Sequence, residues 1–373
     1  MRIGVPAEVK SGENRVALTP DAVTELVAAG HDVLIQADAG RGSHFTNDQY
    51  RRAGAHLVPA EDAWGDVHLV VKVKEPQPSE YHFLRSDLVL FTYLHLAATK
   101  DCTDALVRSG ITAIAYETVE LADGALPLLS PMSDIAGRLA TQVGAFSLQS
   151  ANGGRGVLMG GIAGVAPASV VILGAGNAGS QAVDVAVGMG ADVTVFDLAA
   201  GRLRTVLDRY GNRVRALMSN RDAVDMALRH ADLVIGAVLV HGAKAPKLVT
   251  NDQVRNMKAG SVLVDIAIDQ GGCFEDSRPT THADPLYSVH NSRFYAVANM
   301  PAAVPNTSTS SLVNATLPYI RAIANAGWRR AVSEDPALAK GVNVIAGHIT
   351  VKPVAEAHGY AVTDLNTIDL SAL

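Results

Sequence analysis

The sequence predicts an α/β protein of two Rossmann-like lobes, each on a parallel sheet, with a cleft between them. Three observations carry this prediction: apolar runs alternating with amphipathic segments over residues 1–130, a complete strand, glycine turn and helix at 170–188, and a second alternating series reaching about residue 300. Short, continuously apolar strands separated by helices indicate parallel sheets covered on both faces. At 373 residues and 48% apolar side chains, the chain can bury two cores.

Strands are expected at 3–5, 33–36, 68–73, 88–92 and 111–115. Thr19 can cap a helix that starts at Pro20, fills 22–29 and ends at Gly30. Residues 47–53 and 102–108 also read as helices. From 131 to 153 a longer helix is expected to cross between lobes, with Ser133 as cap and Ile135, Leu139, Val143, Phe146 and Leu148 as its apolar stripe. Further strands are predicted at 170–173, 193–196, 214–217, 233–236, 262–265 and 294–297, with helices at 178–188, 202–210 and 223–229. After Pro305 a helix capped by Thr309 or Ser310 packs through Leu312, Thr316, Leu317, Ile320 and Ile323. The tail has no strand series for a third core, so the expected division is 1–130, 131–305, and 306–373 returning to the first lobe.

A net charge of −6 without a long basic run lacks the electrostatic term that dominates nucleic-acid binding. The apolar stretch 156–176 contains Gly160, Gly161, Gly164 and Pro167 and runs into a glycine turn, so it reads as a loop and a buried strand, not a membrane span. The first ten residues, MRIGVPAEVK, lack the layout of a signal peptide, and Cys102 and Cys273 form no CxxC pair. A cytoplasmic protein is expected. No HExxH or compact Cys/His cluster suggests a metal.

The motif Gly174-Ala-Gly176-Asn-Ala178-Gly179 follows VVIL and opens an apolar helix. Gly174 permits the tight turn, Gly176 lets the backbone approach a pyrophosphate, and Gly179 lets strand and helix pack closely. The phosphate then meets unpaired N–H groups at the helix start, beside Ala178. Asp197 stands at the end of VTVF, about 20 residues beyond the glycines, where a carboxylate accepts hydrogen bonds from the adenosine ribose and repels a 2′-phosphate. NAD is therefore predicted over NADP. Arg202 and Arg204 fall in the next amphipathic helix, where a solvent-facing role is the plain reading; Ser219 is either an adenosine contact or part of a helix cap. Open sheets bind ligands at the carboxyl ends of their strands, which adds Val238, Leu239, residues 265–269, Asn299 and Met300 as candidates.

In the first lobe Arg15, Lys74 and His95 each follow a predicted strand. A guanidinium fork and an ammonium suit a small carboxylate, and a histidine can exchange protons near the reacting carbon. Surface charges and a packed or capping histidine are the competing readings. Beyond the strand VLVD, either Asp265 or Asp269 can face the site; spacing does not separate them.

Taken together, these residues closely resemble the alanine dehydrogenase family, which includes the nucleotide-binding subunit of proton-translocating transhydrogenase. The resemblance covers nearly the whole chain through GVPAEVKSGENRVALTP, VKVKEP, TYLHLA, SPMSDIAGR, VVILGAGNAG, ADLVIGAVLVHGAKAPKLV, VLVDIAIDQGGCFE and VANMPAAVPNTST, in that order. It implies reversible NAD-linked oxidation of L-alanine to pyruvate and ammonia by a homohexamer, in some members with activity on glycine or glyoxylate. It assigns Arg15 and Lys74 to substrate and His95 and Asp269 to proton transfer. Ser133, Asp197, Arg202, Ser219, Val238, Leu239, Asn299 and Met300 go to NAD. Residues 1–130 thereby become the first part of a substrate domain and 131–305 the NAD-binding domain. The stretch after Gly341 carries the least of the family pattern. A related dehydrogenase acting on a lysine-derived amino acid is the alternative enzyme. A transhydrogenase subunit is disfavoured by the retained Arg15, Lys74, His95 and Asp269 and by the absence of a later membrane segment.

Overall fold

The structure, a computed structural model, describes residues 1–238 and 245–370. The chain divides into two compact units, Met1–Met132 with Val304–Leu373, and Ser133–Ala303. In the first, β1 (Arg2–Val5), β2 (Asp32–Gln36), β3 (His56–Val58), β4 (Leu69–Val71), β5 (Val89–Thr92) and β6 (Thr112–Ala115) pair in parallel in the order β3-β2-β1-β4-β5-β6. In the second, β7 (Ser169–Leu173), β8 (Asp192–Asp197), β9 (Val214–Met218), β10 (Leu233–Gly236), β11 (Val262–Asp265), β12 (Leu286–Val289) and β13 (Ser292–Tyr295) follow the order β9-β8-β7-β10-β11-β13-β12, with β12 antiparallel at the edge. The six parallel strands of each sheet thus share the mononucleotide-binding order. Finally β14 (Val342–Ile345) runs antiparallel to β6 and pairs with β15 (His348–Ile349), so residues after 341 extend the first sheet.

Local chemistry explains the boundaries. Thr19 accepts from the Ala22 amide and Pro20 occupies the first turn of the helix Pro20–Ala28; Gly30, at φ 85°, turns the chain into β2. The helix Lys100–Ser109 stops at the left-handed Gly110. β3 and β12 escape a periodicity reading because each is a short edge strand with few buried positions. The last parallel strand sits two residues earlier than 294–297.

Two predicted caps are corrected. The crossover helix is Ser130–Ser147, so Ser133 lies in its first turn; Pro131, which lacks an N–H, is tolerated at the second helical position and moves the start upstream. Likewise Pro305 opens the helix Pro305–Ala326, which leaves Thr309 and Ser310 inside it. The buried Thr309 hydroxyl instead accepts from the Val16 amide at 3.1 Å and pairs with Ser43 Oγ at 2.8 Å. Ser43 in turn bonds the Asn14 and Pro305 carbonyls at 2.9 and 3.1 Å, so this helix anchors the loop that carries Arg15.

Thr309→Val keeps the shape and removes the acceptor from a buried amide, which costs about 1–3 kcal/mol. The expected result is a lower denaturant midpoint at unchanged slope, measured by equilibrium unfolding.

Candidate active site

The carboxyl edge of the first sheet gathers a set of charges. Arg15 follows β1, Lys74 follows β4, His95 follows β5 and Glu117 follows β6. Arg15 is 2% exposed, and Glu13 holds the Nε and Nη2 edge of its guanidinium at 2.7 and 2.6 Å, while Nη1 reaches Met132 Sδ at 3.0 Å. Burial pulls the guanidinium pKa down, but the Glu13 bonds and charge carry it above its ordinary value. Lys74 is also buried, and its Nζ makes no hydrogen bond or ion pair among the described residues. Desolvation first, and then repulsion from Arg15, lower its pKa. Neither cation is a surface charge.

A second carboxylate sets the Lys74 backbone. Glu8, buried, accepts from the Val73 amide at 2.7 Å and the Lys74 amide at 3.4 Å and lies 3.3 Å from Lys72 Nζ. Lys72, wholly buried, completes the set with Glu80 at 2.8 Å. Burial raises the Glu8 carboxyl pKa against the pull of Lys72. Glu8, Glu13 and Glu117 were absent from the sequence reading. Glu8 and Glu13 lie within the quoted motif around Arg15, but no spacing rule marks a carboxylate that binds backbone amides.

His95 is not packed away, and although it stands at the N-cap position of the turn Leu96–Ala98 its side chain makes no capping bond. Its side chain is 42% exposed and stacks on Tyr93 at 5.8 Å, and its backbone adopts the left-handed conformation, φ 48° and ψ 39°. For a residue with a side chain that conformation costs about 1–3 kcal/mol and persists only when its surroundings enforce it. Glu117 does so, accepting the His95 amide at 2.6 Å and the Leu94 amide at 3.2 Å, with Oε1 3.9 Å from His95 Nδ1. Burial raises the Tyr93 phenol pKa.

In the second unit the glycine roles are explicit. Gly174 has φ 101°; a Cβ on Gly179 would stand 1.8 Å from the Gly174 carbonyl oxygen. Among the described residues a Cβ on Gly176 would meet only Arg202 Nη1, at 4.0 Å, the open approach that the motif's second glycine provides. The first turn of the 12-residue helix Asn177–Gly188, including Ala178, faces that turn with its amides. Gly137 brings the crossover helix close to this turn, since a Cβ there would lie 2.0 Å from the Ala178 carbonyl oxygen.

Asp197 ends β8, accepts from the Ala175 amide through Oδ2 and the Ala199 amide through Oδ1, each at 2.7 Å, and so ties strand to glycine turn. Arg202 and Arg204 are both exposed, as their solvent-facing reading expects, and Arg202 Nη1 in addition lies 3.6 Å from Asp197 Oδ2. Asn220 caps the next helix by accepting from the Ala223 amide at 2.9 Å, which leaves the Ser219 hydroxyl out of the cap. Ser219 donates its amide to the Asp197 carbonyl at 2.9 Å.

The two aspartates after β11 now separate. Asp265 is fully buried and accepts from the Ala267 and Cys273 amides at 3.0 and 2.9 Å and from Ser277 Oγ, so it builds the loop. Asp269 is exposed and accepts from the Asn299 amide at 3.3 Å; Asn299 is left-handed, φ 59°, and Met300 beside it is buried. Val238 follows β10 and is half-buried; Leu239 lies outside the described residues. Among the described residues no His, Cys, Asp and Glu group is arranged to hold a metal ion, and no helix is long and apolar enough to cross a membrane.

Known proteins give the same arrangement a family. The model of "Alanine dehydrogenase/PNT, N-terminal domain" matches residues 4–136, and that of "Alanine dehydrogenase/PNT, C-terminal domain" matches residues 140–352. The chain belongs to the alanine dehydrogenase/PNT family. Within this family it is 57% identical over 357 residues to the alanine dehydrogenase of Mycolicibacterium smegmatis, covering 95% of this chain and 96% of that one. To the alanine dehydrogenase of Mycobacterium tuberculosis it is 56% identical over 365 residues, with 98% of each covered. A solved L-alanine dehydrogenase superposes with a TM-score of 0.94 at 51% identity, covering 96% of this chain and 99% of that one. A transhydrogenase from Sinorhizobium meliloti, at TM-score 0.80 and 24% identity over 94% of this chain and 98% of its own, shares the fold.

Lys74 gives a pH test. Its pKa in the folded protein lies below the unfolded value, so between the two the unfolded chain binds more protons and stability rises with pH. Below that window the buried charge is a fixed cost. Lys74→Met should therefore raise the thermal midpoint at neutral pH by about 2–4 °C, the shift that about 1 kcal/mol produces in a domain of this size. The gain should shrink as alkaline pH discharges the wild-type lysine, as scanning calorimetry across pH would show.

Proposed function

We propose that this chain catalyses the reversible NAD-dependent oxidative deamination of L-alanine to pyruvate and ammonia, with the first unit holding substrate and the second NAD. The observation that carries the reading is the buried Lys74 ammonium, without an ion-pair partner among the described residues, beside the carboxylate-braced Arg15 at the strand ends that also present His95. A small carboxylate there neutralises excess charge that folding has already taken out of water. The family's named relatives are alanine dehydrogenases, which suits a short substrate.

The residues of the second unit fit a dinucleotide: the turn at Gly176 has room for a pyrophosphate, and Asp197 ends β8 where the adenosine ribose is held. Ala178, Ser133, Arg202, Ser219, Val238, Leu239, Asn299 and Met300 are the further contacts we assign to it. When bound, NAD accepts the hydride that leaves the alanine Cα. Arg15 and Lys74 fix the substrate carboxylate. His95 takes the proton that leaves the substrate amine neutral before hydride loss, and later moves protons of the attacking water. Asp269 stabilises the iminium charge and orients that water. Addition of water to the iminium carbon and departure of ammonia give pyruvate. A homohexamer located in the cytoplasm completes the proposal.

Cofactor choice is tested by titrating NADH and NADPH. NADH should bind at least tenfold more tightly, and Asp197→Ala should narrow that gap; equal affinities for the unaltered chain overturn the assignment. For the chemistry, the protein is supplied with NAD and L-alanine, glycine, L-lysine or L-lactate, and NADH and product are followed. L-alanine should be preferred, with pyruvate and ammonia formed, and lactate, which has no amine, should be inert. His95→Ala and Asp269→Asn should each lose about 100-fold or more in turnover while keeping NADH affinity. An unaltered chain inert toward alanine, and toward pyruvate, ammonia and NADH in reverse, rejects the reaction.

A further inference from the structure

We infer that His358 and Tyr360 are positioning residues that hold the chain just after His95, as Glu117 holds the amides of Leu94 and His95, an inference that rests on the proton-transfer role proposed for His95. The helix Lys352–His358 follows β15, and both residues lie beyond the family-model match, which ends at residue 352. His358 Nε2 is 2.7 Å from the Leu96 carbonyl oxygen, so the ring nitrogen carries a proton and donates. Leu96 is the residue next to His95 and opens the short helical turn Leu96–Ala98. The same carbonyl accepts from Thr103 Oγ1 at 3.1 Å. Val354 and Ala355 pack with Leu94 and Leu96 in one buried cluster, so the helix grips this segment through side chains as well.

Tyr360 fixes the far end of the helix. Gly359, at φ 74°, reverses the chain, the Tyr360 amide donates to the Ala355 carbonyl, and the phenol donates to Asp104 Oδ1 at 2.7 Å on the helix after the His95 turn. Asp104 also holds Lys100 Nζ at 2.8 Å, and that ammonium lies 5.7 Å from the Tyr360 ring centroid. The strained His95 backbone is therefore held at its amide by Glu117, at its carbonyl by the Ala98 amide at 3.0 Å, and just past it by the helix Lys352–His358. A strained left-handed residue persists only when its surroundings over-determine it, and each of these contacts adds to that restraint.

The test uses the full chain with His358→Ala, His358→Gln, whose amide can still donate, and Tyr360→Phe. Turnover in reductive amination of pyruvate should fall about 10-fold or more in His358→Ala, with NADH affinity and thermal midpoint near those of the unaltered chain. Amide hydrogen exchange of residues 94–98 should quicken at least tenfold without any ligand. His358→Gln should recover most of both, and Tyr360→Phe should show a smaller version of each change. Unchanged exchange in His358→Ala overturns the inference, as does a turnover loss that tracks the thermal midpoint and is not recovered by glutamine. If the unaltered chain has no activity on alanine, the proposed reaction fails, and the exchange comparison still decides whether this segment restrains the His95 turn.

Discussion

Charge held out of water must be answered by charge, and the first unit is arranged around that requirement. Glu13 clamps Arg15, and Glu8 with Glu80 neutralises Lys72. Removing one partner of such a pair leaves an uncompensated buried ion, which is far more costly than the pair is worth in net stability. The exception is Lys74, whose ammonium has no hydrogen-bonded or ion-paired carboxylate among the described residues, with Glu75 and Glu13 acting on it only through their field. A protein that discharged every buried ion internally would have no affinity to offer an anion. Stability is given up at one position, and the surrounding carboxylates keep the loss from spreading.

How much of this was legible follows from what kind of signal each residue leaves. The glycines of the turn and Asp197 stand at fixed offsets because backbone geometry demands them, so order alone revealed them. Lys74 and His95 were readable as polar residues just past apolar strands, and Arg15 as the cation of the longer loop after the first one. Glu8, Glu13 and Glu117 left no such mark, since their partners are backbone amides and cations brought together by sheet order. Asp265 and Asp269 could not be told apart by spacing; burial and amide contacts made the distinction. Arg202 looked like an ordinary helix-surface residue and gained meaning only from its nearness to Asp197. The misplaced caps at Ser133 and Thr309 share one cause, a proline upstream that starts the helix sooner.

The same strand order serves both units, and it places function in the same location in each. In the first sheet the loops after β1, β4, β5 and β6 carry the charges; in the second the ends of β7, β8 and β11 lead into the glycine turn, Asp197 and Asp269. One architecture thus gathers charged side chains at the carboxyl edge of one sheet and a glycine turn opening a helix at that of the other.

The pairing of β14 with β6 also has a consequence for how the protein is made. The six parallel strands of the first unit leave the ribosome by Ala115, yet the edge at β6 is covered only once Val342 has emerged, after the whole second unit. At about 5–20 residues per second that interval is on the order of ten to fifty seconds. During it β6, buried along its length in the finished unit and apolar from Ala113 to Ala115, presents an open edge of the kind that recruits a strand from another chain. Nascent chains on one message are therefore most exposed to mispairing while the second unit is being synthesised, and a chaperone that shields β6 in that interval would protect the yield of both units.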